Sequence, residues 1–181
     1  MPEWKSFTFG EDGEATPTAE APTPASANPA MEPDEYAAKW GTDVSEVTIA
    51  RIEAVLEGDG LPHGSSEFIA FTQLEDIPFQ VHREPADAPW AQIETRILPV
   101  GEGHTEASLQ AIANRWNTEH LQPTVFPIES EDGWILVAAS RFFVGEGLSD
   151  RQIHAMLRRG LIIGMSAAQE VPSFFDEASA E

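Results

Sequence analysis

The chain has 181 residues, no cysteine and a net charge of −21. Without thiols there is no disulfide, no thiolate metal site and no thiol nucleophile, a composition suited to a reducing compartment. The excess of carboxylates repels phosphate backbones and anionic lipid, which excludes nucleic-acid binding by counterion release and disfavours a membrane surface.

Residues 1–43 hold nine acids against two lysines. Between residues 10 and 35 the chain is mostly Pro, Ala, Thr, Ser and Glu, which cannot bury enough apolar surface to offset its own ordering entropy. Residues 1–43 therefore read as a disordered, acidic Pro/Ala-rich tail, stiffened locally at Pro17, Pro22, Pro24 and Pro29. Trp4, Phe7 and Phe9 form an aromatic island near its start, and Tyr36 and Trp40 a second before the domain. Each island is either a docking peptide for a protein partner or an incidental cluster resting on the chain's own domain. The acidic start Met1-Pro2-Glu3-Trp4 is followed by no apolar run, so no export signal is legible and a cytoplasmic location is expected.

Residues 44–176 have the composition of one folded unit, with 177–181 as a short C-terminal tail. A first helix is expected from Ser45, as N-cap, to Gly58, with Ile49, Ile52, Val55 and Leu56 on its apolar face. Gly58-Asp59-Gly60 stops it, and Leu61-Pro62-His63-Gly64 forms a turn. Three strand-like runs follow: 68–74, 77–82 and 90–98. In the last, Ile93, Thr95 and Ile97 alternate with Glu94 and Arg96, the pattern of a sheet wet on one face. The short connections favour antiparallel pairing.

A second helix, 105–120, places Leu109, Ile112, Ala113 and Trp116 at i, i+3, i+4 and i+7. Strands 124–129 and 134–144 are joined at Glu131-Asp132-Gly133, a hairpin signal. The second of them is apolar throughout and is expected at the sheet centre. The third helix opens at Ser149, which has capping-box spacing to Gln152. It buries Ile153, Met156, Leu157, Gly160, Leu161, Gly164 and Ala168, and ends before Pro172. The result is α+β: an antiparallel sheet of about five strands with helices packed on it, in the order α-βββ-α-ββ-α.

Chemical motifs are sparse. Gly101-Glu102-Gly103 and Gly145-Glu146-Gly147 each precede a helix, yet they carry carboxylates and no phosphate-loop lysine, so they read as structural corners built alike. His63, His82, His104, His120 and His154 show no metal-ligand spacing, and no nucleophile elbow is present. No catalytic set, metal site or cofactor site is legible. Gly160 and Gly164 suit close packing, within the chain or against a symmetry-related helix of a homodimer. Arg158-Arg159 forms the one basic pair, used in a local ion pair or as an anchor for an acidic partner or the chain's own tail.

Asn114-Arg115-Trp116-Asn117, followed by Pro123 at the head of a strand, resembles the YbjN family of bacterial proteins. Arg51-Ile52-Glu53-Ala54-Val55-Leu56 with Gly60-Leu61-Pro62, and Leu148-Ser149-Asp150-Arg151-Gln152-Ile153, are similar to that family's first and last helices. The likeness runs over residues 44–176 and leaves out the tail. It implies a fold like that of type III secretion chaperones, and a regulatory role in sensory transduction or stress response with no enzymatic activity and no shared active site. The expected function is therefore a non-enzymatic, chaperone-like protein-binding domain acting through a sheet edge or a helix groove, with Trp4, Phe7, Phe9, Arg158 and Arg159 as candidate contacts. The alternative is a small-molecule sensor with a pocket between sheet and helices. Trp116 is expected in the core and Asn117 as a cap or tether. Trp116→Ala should then cost about 3–5 kcal/mol in a chemical melt; a loss under about 1 kcal/mol would mark the indole as an exposed contact residue.

Overall fold

Apolar residues that alternate along successive strands leave one sheet face to be covered, and the helices of this chain supply the cover. The computed structural model describes residues 7–9, 15–17, 39–99 and 104–178, with side chains described for 39–99 and 104–175. It divides into two units, 1–33 and 34–181. In the first, β1 (Phe7–Phe9) pairs antiparallel with β2 (Ala15–Pro17), Phe7 opposite Pro17. Trp4 and Tyr36 lie outside the described residues, as does the corner Gly101-Glu102-Gly103.

The second unit runs α1 (Ile49–Gly58), β3 (His63–Ser65), β4 (Ile69–Leu74), β5 (Ile77–His82), β6 (Trp90–Ile97), α2 (Glu106–Glu119), β7 (Thr124–Ser130), β8 (Gly133–Phe143), α3 (Asp150–Glu170) and α4 (Pro172–Ala178). The fold class is α+β. Its sheet is antiparallel in the order β3-β4-β5-β6-β8-β7, six strands where the sequence indicated about five. The extra strand, β3, is the segment read as a turn. β8 is an interior strand next to the edge, and its run from Ile135 to Ser140 is buried on both faces. Ser45 is not a helix cap. It forms a bridge with Leu148 in the corner after β8, and Thr48 caps α1 by accepting from the Arg51 amide. The Ser149–Gln152 capping box forms as the spacing predicted.

Every strand residue in the two core clusters lies on one face. Ala70, Phe79, Val81, Ala91 and Ile93 meet Ile52, Val55 and Leu56 of α1 and Ile153, Leu157 and Leu161 of α3. Ile97, Val125, Leu136 and Ala138 meet Leu109, Ile112 and Trp116 of α2, with Val171 and Phe175 behind them. Helix α3 crosses the middle at very short range. A Cβ on Gly160 would stand 2.5 Å from Ile93, and one on Gly164 would stand 2.7 Å from Phe79. The two glycines therefore serve packing within the chain.

Two side chains fasten the layers. Trp116, 1 % exposed, donates its indole N–H to the Pro123 carbonyl at 2.9 Å. Next to it, Asn117 stands in for a missing strand. Its Nδ2 donates to the Val125 carbonyl (2.7 Å), and its Oδ1 accepts from the Val125 amide (2.9 Å). The second fastener is Arg51, with all five guanidinium N–H groups engaged. Nη1 donates to the Ser45 and Glu46 carbonyls and Nη2 to the Leu148 carbonyl, while Nε and Nη2 grip Asp150. One side chain thus holds α1, the segment before it, the corner after β8 and the start of α3.

Asn117→Ala should destabilise the chain by about 1–3 kcal/mol, because it strands two backbone groups at once. Hydrogen exchange at the Val125 amide should accelerate beyond what that global loss explains; a Val125 rate that merely follows global stability would contradict the tether. Arg51→Lys should cost about 1–3 kcal/mol although the charge is retained, since a point donor cannot fill a five-pronged fork. A melt that matches the parent would show the fork to be dispensable.

Candidate functional site

The largest departure from a plain core lies where α1 ends against α3. Asp59, the C-cap of α1, places a carboxylate oxygen 2.7 Å from Nδ1 of His154 and its other oxygen 3.3 Å from Nζ of Lys39. Lys39 also donates to the Gly58 carbonyl. His154 is only 3 % exposed, and the indole of Trp40 lies over it at 6.3 Å between ring centroids. Gly58 makes room for that indole, since a Cβ there would come within 2.2 Å of Trp40. Trp40, from the second aromatic island, thus rests on its own domain.

Beside this pair opens a cavity of about 230 Å³. Its wall is apolar (Leu61, Leu74, Leu157, Leu161 and Ile162), with Asp59, His154 and Arg158 as the polar members. Of the basic pair singled out in the sequence, Arg158 joins this wall. Arg159 is exposed and is not part of it. Among the described residues, the lining carries no hydroxyl, thiol or amine side chain for the imidazole–carboxylate pair to activate.

The helix-free sheet face carries a polar row. Arg141 Nε donates to Gln92 (2.7 Å), Gln92 donates to Glu94 (2.6 Å), and His82 Nε2 lies 3.1 Å from the other Glu94 oxygen. Burial pushes the Glu94 carboxyl pKa up, but hydrogen bonds from His82 and Gln92 and the nearby charges of His82 and Arg96 outweigh it, leaving the group below its ordinary value. At one end of the row, Trp90 faces Phe143 across the β6–β8 ladder, the two being 46 % and 66 % exposed.

The edges differ from what a sheet-edge binding mode needs. In β7 the outward-facing backbone groups belong to Val125, Pro127 and Glu129, as the Asn117 contacts on Val125 fix the phase. Asn117 occupies the first of these, and proline offers no N–H at the second. The opposite edge, β3, is three residues long.

A second hollow, of about 370 Å³, lies behind the corner after β8. Ser45, Glu46, Arg83, Asp87, Val144, Gly145, Glu146 and Gly147 line it. Gly147 takes φ +81, and a Cβ there would sit 2.6 Å from the Ser45 carbonyl oxygen, so only glycine closes this corner.

Phe7 and Phe9 fall in β1 of the first unit and Trp4 outside the described residues. Among the described residues no three metal-binding side chains converge, and no helix is long and apolar enough to cross a membrane. The His154–Asp59 pair was missed because Asp59 reads as a helix stop. The available signal was His154 at i, i+3 and i+7 with Leu157 and Leu161 on the buried stripe of α3.

A search of curated proteins finds no match to the sequence. Among solved structures, the chain is similar to a crystal structure titled "YbjN, a putative transcription regulator from E. coli", at 14% identity with a TM-score of 0.55, over 70% of this chain and 93% of that one. It also matches the HopA1–SchA chaperone–effector complex at 11% identity with a TM-score of 0.48, over 68% and 91%. The YbjN family model, described as "Putative bacterial sensory transduction regulator", matches residues 48–171. That span is well over half of the chain and takes in every element from the cap of α1 to the end of α3, so the chain belongs to the YbjN family.

Proposed function

We propose that this chain is a non-enzymatic, chaperone-like regulatory domain that binds a protein partner, and that the cleft between α1 and α3 receives apolar side chains of that partner. The observation behind the reading is the cleft itself: a leucine-walled cavity of about 230 Å³ with half-exposed Ile162 in its wall. Pockets for drug-sized ligands run to roughly 300–1,000 Å³. This one suits one or two side chains of a polypeptide better than a whole metabolite. The described lining holds no nucleophile, and the partly blocked β7 edge favours a groove over strand addition. Arg158 and Arg159 are proposed as basic contacts near the cleft, and Trp4, Phe7 and Phe9 as a second docking element for the same class of partner. A cytoplasmic location fits a chain without thiols to oxidise.

Ile162→Glu tests this reading, because the side chain is 47 % exposed and its replacement should leave stability within about 0.5 kcal/mol of the parent. In-cell cross-linking followed by mass spectrometry should show a protein adduct of the parent that the variant loses. An unchanged adduct pattern would remove the cleft from the account. Stabilisation of the intact chain by a common metabolite, abolished by Ile162→Glu, would favour the small-molecule sensor in its place.

A further inference from the structure

Arg83 stands apart from Arg51, whose five donors are met. It follows β5, is 5 % exposed, and donates through Nε to the Ala86 carbonyl at 2.9 Å. Its Nη1 is buried without a hydrogen-bond partner. Arginine does not shed its proton in proteins, so this guanidinium stays charged. An unpaired buried charge is costly unless an anion meets it. The side chain forms part of the wall of the 370 Å³ hollow behind the β8 corner. Three carboxylates, Glu46, Asp87 and Glu146, share that wall. All three are exposed, and none is within ion-pair distance of Arg83.

The wall of the hollow is therefore bipolar, one buried arginine beside three exposed carboxylates. A multiply charged anion would gain from Arg83 but be repelled by three acids. A simple amine would satisfy the acids and leave Arg83 unmatched. A ligand with a carboxylate and an ammonium on one small frame answers both. We propose that this hollow binds a free α-amino acid, its carboxylate on Arg83 and its ammonium among Glu46, Asp87 and Glu146. Three acids against one arginine leave the wall net negative, so an amino acid with a cationic side chain binds better than a neutral one, and an acidic one worst. The corner beside the hollow is held by the Arg51 fork, and Gly147 there leaves no room for a Cβ against Ser45. The hollow is separate from the α1–α3 cleft, and no residue lines both.

Isothermal titration of the intact chain with L-lysine, L-alanine and L-glutamate tests the proposal, together with N-acetyl-L-alanine and L-alaninamide, each lacking one of the two charges. The expected order is lysine, then alanine, then glutamate, with each blocked alanine weaker than alanine by about tenfold or more. Arg83→Gln should abolish lysine binding. Because Arg83 is buried, the exposed substitutions Asp87→Asn and Glu146→Gln supply a second arm; together they should weaken lysine by about tenfold while leaving Tm unchanged. No saturable lysine binding at millimolar concentration would overturn the proposal. So would blocked alanines that bind like alanine, a double variant with undiminished affinity, or inorganic phosphate that binds more tightly than lysine.

Discussion

A six-stranded sheet with its described helices on one side must satisfy two unlike surfaces with a single backbone. Side chains alternate between faces with period two, so each strand divides its residues between an interior and a boundary with water. On the covered face the requirement is close approach. Helix α3 crosses β5 and β6 at a distance that admits no Cβ at positions 160 and 164, and Ile93 and Phe79 fill the space those side chains would have taken. On the other face Ile135, Val137 and Ala139 of β8 are also buried, and beside them runs the chain of polar contacts from Arg141 through Gln92 to Glu94 and His82. The depressed pKa of Glu94 follows from these contacts: a carboxylate pushed into partial burial stays charged because its neighbours donate to it.

The edges follow from the same constraint. An open sheet presents unpaired backbone groups that invite strand addition. Here α2 answers through Asn117, which offers a carbonyl and an amide to Val125 much as a neighbouring strand would. Trp116 complements it one residue earlier, burying its ring and directing its N–H to Pro123. This pair, and the union of Arg51 with Asp150, accounts physically for the residues in which the sequence resembles its family. Arg51 and Asp150 belong to motifs far apart in the chain, yet they form a single contact. The shared residues are fasteners of the fold.

Much of this architecture was legible in the residues alone. Apart from β3 and α4, the order of elements came from periodicity, the α3 cap from Ser149 and Gln152, and the β7–β8 turn from Asp132-Gly133, where Gly133 takes φ +115. The misses share a cause. Ser45 and Thr48 are both competent caps by composition, and what decides between them is Leu148, a bridge partner about a hundred residues away. Strand β3 contains Gly64 and has no alternation to announce it; it exists because β4 offers an edge. The two hollows were invisible for the same reason. Arg83 stands between His82 and Glu84 with no apolar pattern to announce its burial, which goes with its contact to Ala86 in the following loop. Contacts that pair distant segments leave no local pattern, and both candidate sites are made of such contacts.

The distribution of positive charge bears most directly on the buried arginine. In a chain of net charge −21, cations are scarce, and after Lys39 all of them are arginine. Several are held by well-defined contacts, with Arg51 in its fork, Arg141 on Gln92 and near the Trp90 ring, and Arg115 against Phe174 and Glu119. These contacts use the planar, multi-donor geometry that lysine lacks. Against that background a buried guanidinium with an unspent donor, as at Arg83, is hard to read as slack. The surplus of carboxylates would steer basic ligands toward the surface and turn anions away at long range. A lone carboxylate reaching Arg83 must therefore bring its own positive charge past the acids, and for that reason a zwitterion fits where phosphate does not.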